Sequence, residues 1–424
     1  MTSPYIAAGV PAQRGLALDP GAPLLTVVAK SVGPHPLLYR KRIERFDRHI
    51  QPGDLVRVMD TEGNQSGYGI FNPKAELALR MVCDARSTPD EAFWQSRLAA
   101  AVSLRRNLLK LDETTDSYRV IHAEADGFSG LVVDKLGDVL SAEAFSLGMY
   151  QRASAILERL APLLGTKHTL IQSGPASLPQ EGFDGPPIAS PDLPSRVTIQ
   201  EFGTRFRVDF AAGHKTGFFC DQRDNRHLLA TFCAGKTVLD LCCYTGGFAI
   251  QAKKLGGAAE VTGVDLDEAP LALARENANL NQARVKFAQA DAFAYMRDAL
   301  QHQRQFDVVV LDPPKLIRNR AELEEGTHKH FDLNKLAMQL VAPGGLLLTC
   351  TCAGLLPPEE FLRIIYGATR QAGPLVSPAT LERSARHAPR AGQILFKTGA
   401  SADHPIATAC PETEYLNAVW LRLM

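Results

Sequence analysis

The chain has 424 residues, 45% of them hydrophobic and 22% charged, with 46 Lys plus Arg against 46 Asp plus Glu. That length allows two or three domains. The balanced charge excludes a global basic field, so any nucleic-acid affinity has to come from local patches. No apolar run reaches the roughly 18 residues needed to span a bilayer. Residues 1–22, rich in Ala, Gly and Pro, lack the charged-then-apolar pattern of a signal peptide; they read as a disordered tail on a cytoplasmic protein.

Residues 23–88 read as a small β domain. Leu24–Val28 is apolar and β-branched, Asp54–Met59 alternates, Asp60–Asn64 carries turn chemistry, and Tyr68–Asn72 and Leu77–Val82 resume strand patterning. Between the first strands lies a local basic cluster, His35-Pro36-Leu37-Leu38-Tyr39-Arg40-Lys41-Arg42-Ile43-Glu44-Arg45, which reads equally well as a solvated turn and helix face. Residues 89–195 read as a central α+β domain and linker. Helices are expected over Asp90–Leu111 and Tyr150–Leu164. Short strands are expected at Tyr118–Ile121, Gly130–Val133 and Val139–Phe145. The Pro, Gly and Ser content of Ser173–Ser195 marks a linker or long surface loop.

From about Arg196 to residue 424 strands and helices alternate. Strands are expected at Val238–Leu241, Glu260–Val264, Val285–Gln289, Phe306–Leu311 and Gly345–Thr349, with a last one at Tyr415–Leu423. The pattern implies βαβ units and a mostly parallel, Rossmann-like sheet. Of the eight cysteines, none forms a Cys-x-x-Cys pair and no His-x-x-x-His partner lies nearby, so no metal is expected.

The chemistry concentrates at strand ends. Val238-Leu239-Asp240-Leu241 runs into Cys242-Cys243-Tyr244-Thr245-Gly246-Gly247, a strand, a tight turn and a helix start. This is not the G-x-G-x-x-G of dinucleotide enzymes. Asp240 suits a cofactor with an ammonium group, whereas it would repel a pyrophosphate. Asp265 ends the next strand about 20 residues on, placed for ribose hydroxyls. Asp291 follows the third strand, placed for an adenine amino group. Acids at three successive strand ends suit S-adenosylmethionine; helix N-capping is the plainer explanation for Asp265 and Asp291. Leu311-Asp312-Pro313-Pro314-Lys315 and Thr349-Cys350-Thr351-Cys352 follow two further strands. If those strands are neighbours, a carboxylate and a thiol meet at one rim, a pairing suited to covalent activation of a pyrimidine.

Several strings together resemble the RlmI type of bacterial large-subunit rRNA cytosine-carbon-5 methyltransferases. They are His214-Lys215-Thr216-Gly217-Phe218-Phe219 with Asp221-Gln222-Arg223, Tyr244-Thr245-Gly246-Gly247-Phe248, Asp312-Pro313-Pro314-Lys315, Cys352 with Gly354, and Ala402-Asp403-His404-Pro405. The resemblance covers most of the chain. It implies an α/β architecture: a class I methyltransferase sheet behind a PUA-like domain and a central domain carrying Glu124 and Asp126-Gly127. It also implies transfer of a methyl group from S-adenosylmethionine to carbon 5 of a cytosine in 23S rRNA or a large-subunit assembly intermediate. Cys352 is then the nucleophile and Asp312 its acidic partner.

The cofactor set is Lys215, Phe219, Gln222 and Arg223 from the loop, with Asp240, Tyr244, Thr245, Gly246, Asp265, Asp291 and Asp312. The substrate set is Pro313, Pro314 and Lys315, with His35, Arg40, Lys41 and Arg42. Cys350 and Ala353 depart from the family pattern, Cys350 placing a second thiol beside Cys352. A homodimer is compatible with the resemblance. The competing readings are an amino-nitrogen methyltransferase of guanine or adenine, which needs no cysteine, and a non-catalytic RNA-binding assembly factor.

Overall fold

The computed structural model describes residues 11–175, 177–210, 216–373 and 389–424. The chain forms two compact units. One comprises residues 1–200, 208–220 and 402–413; the other comprises 201–207, 221–401 and 414–424. A hairpin of Arg196–Glu201 and Thr204–Asp209 spans the division.

In the first unit a six-stranded sheet contains Thr26–Ala29, Leu37–Leu38, Ile43–Phe46, Asp54–Met59, Gln65–Phe71 and Leu79–Asp84. Alternation along these strands sends Val27, Val56, Val58, Phe71 and Leu79 into a common core. The basic cluster forms a 3-10 turn at Arg40–Arg42 with no buried residue. A five-stranded sheet follows: Ser117–His122, Leu131–Leu136, Val139–Ala144, His168–Ser173 and Ile188–Ala189. The helix at Glu91–Ser103 starts where the Asp90 side chain accepts from the Phe93 N–H at 2.8 Å. It stops short of the expected Leu111, giving way to a π turn at Leu104–Leu108. Trp94 and Leu98 of that helix pack with Tyr118, Leu131 and Leu160.

Two stretches differ from the sequence reading. Of the expected disordered tail, residues 1–10 lie outside the described residues; in 11–22, Leu16 is 1% exposed in the central core, and Arg14 pairs with Asp54. Residues 173–195, expected as a linker or a long surface loop, carry a short helix at Ser177–Glu181. Glu181 there is buried and bonded to Asn72 and Arg80. A buried, ion-paired side chain is incompatible with a loose linker, which leaves the surface-loop reading of the stretch.

Among the described residues the second unit carries a seven-stranded sheet. Its strands are β1 (Thr237–Leu241), β2 (Glu260–Asp265), β3 (Lys286–Gln289), β4 (Phe306–Leu311), β5 (Val341–Thr351), β6 (Gly392–Thr398) and β7 (Asn417–Leu423). The order is β3-β2-β1-β4-β5-β7-β6, with β7 antiparallel to β5 and β6. Helices α1 (Gly247–Lys254), α2 (Glu268–Leu280), α3 (Ala292–Gln301), α4 (Leu323–Leu340) and α5 (Pro358–Thr369) connect or flank the strands. Alternation divides the strand side chains between two cores. Leu239, Leu241, Val309, Leu311 and Leu347 pack with α4 and α5. Val238, Val308, Val310, Leu346, Leu348 and Cys350 pack with α1 and Trp420. No described helix is long and apolar enough to cross a membrane.

Candidate active site

The carboxyl ends of the parallel strands lie level. Leu241 pairs with Val264 and with Leu311, Asp265 with Gln289, and Leu311 with Thr349. The strand order reverses between β1 and β4, where open α/β sheets bind ligands. Period-two alternation then assigns Asp240, Asp312 and Cys350 to the face shared by Val238, Val310 and Leu348. The expected neighbourhood of the Asp312 and Cys352 strands is therefore present. Cys350 is fully buried in the core, while Cys352, one residue past the end of β5, is half-buried against the same cluster.

Asp240 is 1% exposed. One carboxylate oxygen accepts from the Ala249 N–H at 2.9 Å; the other, Oδ1, has no hydrogen-bond partner among the described residues. Burial pushes its carboxyl up to about 8, with the charges of Asp312 and Asp265 adding to the rise. A buried acid with an unsatisfied oxygen fits a cationic amine, which would satisfy the oxygen and favour the ionised form. The donor set thus fits S-adenosylmethionine.

The turn after β1 is conformationally demanding. Cys242, Tyr244 and Gly246 all have positive φ (62°, 49° and 84°). Non-glycine residues there cost on the order of 1 kcal/mol each. The Tyr244 N–H donates to Asp265 Oδ2 at 2.8 Å, and the Asn277 amide donates to the Thr245 carbonyl at 3.2 Å, so both neighbours hold the turn. A Cβ on Gly246 would lie 3.0 Å from Ile250 and 3.3 Å from Ala274 and Phe287. Protein packing as well as φ therefore requires glycine there. At Gly247 a Cβ would lie 3.0 Å from Arg226.

Asp265 does not cap α2, whose N-cap is Asp267; its oxygens accept from the Tyr244 and Asp267 N–H groups. Asp291 is exposed and does cap α3, accepting from the Ala294 N–H at 2.9 Å. Gln222, 4% exposed, donates to Asp312 Oδ2 at 3.0 Å and accepts from Asn225 at 2.7 Å. Its amide is therefore engaged inside the protein, a fact hidden from the sequence because Asp312 lies 90 positions away. Arg223 is buried and its Nε donates to Asp224 at 3.2 Å. Phe219 is half-buried and falls in the first unit. Lys215 lies outside the described residues.

Of the expected substrate contacts, Pro313 is buried, while Pro314 and Lys315 are exposed beside Asp312. In the first unit Arg40, Lys41 and Arg42 are exposed, and Arg42 donates to Ser31 at 2.5 Å. Tyr39 and Phe46, 49% and 43% exposed, flank this cluster. The sequence reading did not single out Phe46, whose position on the exposed strand Ile43–Phe46 adds an aromatic surface to the cations. His35, Cys410 and Glu412 bring three ligand-type atoms within 4.8 Å of one another. The Leu37 N–H donates to His35 Nδ1 at 3.2 Å, which leaves the imidazole proton on Nε2, 3.2 Å from Glu412. Cys410 Sγ donates to the same Glu412 oxygen at 3.5 Å.

A family model described as an S-adenosylmethionine-dependent methyltransferase matches residues 188–386, and one described as a PUA-like domain matches residues 31–84. The chain is 35% identical over 394 residues to the ribosomal RNA large subunit methyltransferase I of Aeromonas salmonicida (strain A449), covering 92% of this chain and 95% of that one. It is 34% identical over 398 residues to the protein of the same name from Shewanella frigidimarina (strain NCIMB 400), with the same coverage of 92% and 95%. A solved Streptococcus mutans structure described as a SAM-dependent methyltransferase shares the fold. The match has a TM-score of 0.74 and 18% identity, covering 94% of this chain and 100% of the other. The seven-stranded sheet, the acid-lined rim and this end-to-end likeness agree: the chain belongs to the ribosomal RNA large subunit methyltransferase I family, S-adenosylmethionine-dependent enzymes.

Proposed function

We propose that this enzyme methylates carbon 5 of a cytosine in 23S rRNA through a covalent adduct with Cys352. The observation that carries the reading is the pairing of β4 with β5, Leu311 opposite Thr349, which brings Asp312 and the Cys350–Cys352 segment to one rim. A pyrimidine carbon has no lone pair to offer, so it needs covalent activation, and a thiol beside an acid provides it. An exocyclic amine needs neither.

S-adenosylmethionine, when bound, supplies the methyl group; Asp240, Asp265 and the Tyr244–Gly246 turn hold it. The target base has to leave its stack to reach the rim. Cys352, as thiolate, adds to carbon 6, forming the S–C6 bond. Asp312 gives a proton to ring nitrogen 3 as electron density arrives there, and carbon 5 becomes nucleophilic. After methylation a water or base removes the proton at carbon 5, the S–C6 bond breaks, Cys352 leaves as thiolate, and Asp312 recovers its proton from nitrogen 3. Cys350 is a poor substitute: burial, reinforced by Asp312, holds its thiol well above the usual range.

The test is to incubate the protein with S-adenosylmethionine and unmodified 23S rRNA and to map the product by mass spectrometry. The expected result is a single 5-methylcytosine that disappears in Cys352→Ala. A methylated exocyclic amine, or full activity in Cys352→Ala, would overturn the proposal.

A further inference from the structure

A line of hydrogen bonds with a fixed direction ends on Asp312. Trp420 Nε1, which can only donate, donates to Thr398 Oγ1 at 2.9 Å. The Thr398 hydroxyl then donates to Asn225 Oδ1 at 2.7 Å. With its oxygen accepting, Asn225 turns its amide nitrogen to Gln222 Oε1 at 2.7 Å and to the Gly399 carbonyl at 3.1 Å. Gln222 therefore presents its nitrogen to Asp312 Oδ2, at 3.0 Å. Trp420, Asn225 and Gln222 are 0%, 2% and 4% exposed. Turning Asn225 over would set its oxygen against Gln222 Oε1 and the Gly399 carbonyl, and turning Gln222 over would set its nitrogen against the Asn225 nitrogen, so the orientation of Gln222 is fixed by the groups behind it.

We infer that Gln222, held by Asn225, Thr398 and Trp420, is a positioning residue that fixes which Asp312 oxygen carries the proton and stabilises the carboxylate formed when that proton is given up. Oδ2 already receives the Gln222 N–H, and a protonated oxygen accepts poorly, so when Asp312 takes up a proton it is carried on Oδ1. When that proton passes to ring nitrogen 3, negative charge builds on the Asp312 carboxylate. The Gln222 N–H is already aimed at that charge and needs no reorganisation, so its contribution grows along the reaction coordinate. Gln222 is thus assigned to the proton transfer and not to cofactor binding. The inference rests on the Asp312 and Cys352 reading above.

Three variants test it in the rRNA methylation assay. Gln222→Leu removes the donor and is expected to lower kcat by about ten- to a hundredfold, the range of a hydrogen bond to a charged group, with KM for S-adenosylmethionine unchanged. Gln222→Glu keeps the shape and still accepts from Asn225. It donates to Asp312 only when protonated, so its activity relative to wild type is expected to rise as pH falls, a recovery that Gln222→Leu lacks. Thr398→Val, two links away, is expected to lower kcat less than Gln222→Leu. A Gln222→Leu enzyme with wild-type kcat, or one impaired only through KM for the cofactor, overturns the inference, as does a Gln222→Glu enzyme with no relative recovery at low pH. Product identity and Cys352→Ala, measured alongside, separate the two ideas. If the product is not 5-methylcytosine, the underlying reading fails. If it is, and Gln222→Leu matches wild type, only the role of Gln222 fails.

Discussion

At the residue scale the site is built from polar groups whose burial is costly to the fold. Asp240 is the clearest case. Its carboxyl is held at about 8 in the folded chain against an ordinary value of 3.8. The folded state therefore retains a proton that the unfolded chain loses, and this group's contribution to stability falls as pH rises from about 4 to about 8. Asp240→Asn removes that dependence. Chemical denaturation at pH 8 is expected to show the variant more stable than wild type, while calorimetry shows S-adenosylmethionine affinity reduced about tenfold or more, the worth of a hydrogen bond to a charged group. Equal affinity in the two proteins would remove Asp240 from the cofactor site. The two thiols divide on the same physics: Cys350 sits in the core, where ionisation is unfavourable, and Cys352 stands at the half-buried end of the strand.

At the scale of elements, β5 is braced from behind by α4. The His330 ring on α4 lies 3.2 Å from Thr351 Oγ1, between Cys350 and Cys352. Burial pushes His330 down to about 4. The unfolded chain takes up a proton near 6.5 that the folded chain refuses, so this contribution to stability is lost as pH falls from about 6.5 to about 4, by roughly 3 kcal/mol in full. Asp240 acts in the opposite sense over the same range, so the informative quantity is the difference between wild type and His330→Asn. That difference is expected to shrink between pH 7 and pH 5 in denaturant titrations. A constant difference would place the imidazole in water.

The parallel strands were legible because each is a short apolar run closed by a turn and followed by a helix. The edge strand β6 was missed: Gly392–Thr398 is largely exposed, so its Ile394-Leu395-Phe396 run has no alternation to announce it. The strand-end acids were legible as a set, but their partners were not. Asp291 proved to cap a helix, Asp265 to hold the Tyr244 turn, and Gln222 to bond Asp312. Each of these depends on which oxygen or nitrogen a distant element offers.

At the scale of the whole molecule, the sequence suggested a short tail and three successive domains; the chain divides into two compact units whose membership is not sequential. The Ala402–Thr413 segment, read with the methyltransferase sheet, belongs to the first unit. There Arg105, fully buried and paired with Asp126, donates to the Asp403 carbonyl at 2.7 Å across 298 positions. The Asp403 carboxylate accepts from the Arg119 N–H at 2.8 Å. The Ala402-Asp403-His404-Pro405 string that marked the family is thus a fold-closing element, and no local pattern could have revealed its partners. Basic and aromatic groups at Tyr39–Arg42 and Phe46 lie exposed on the same unit.

The central claim is that Cys352 bonds to the target cytosine. The most direct measurement uses rRNA carrying 5-fluorocytidine. Fluorine at carbon 5 cannot leave as the proton does, so the adduct persists once the methyl group has been transferred. With S-adenosylmethionine present, a denaturation-resistant protein–RNA complex is expected from wild type, with the crosslink on the Cys352 peptide, and none from Cys352→Ala. Absence of a complex from active wild-type enzyme, or a crosslink on Cys350, would contradict the account.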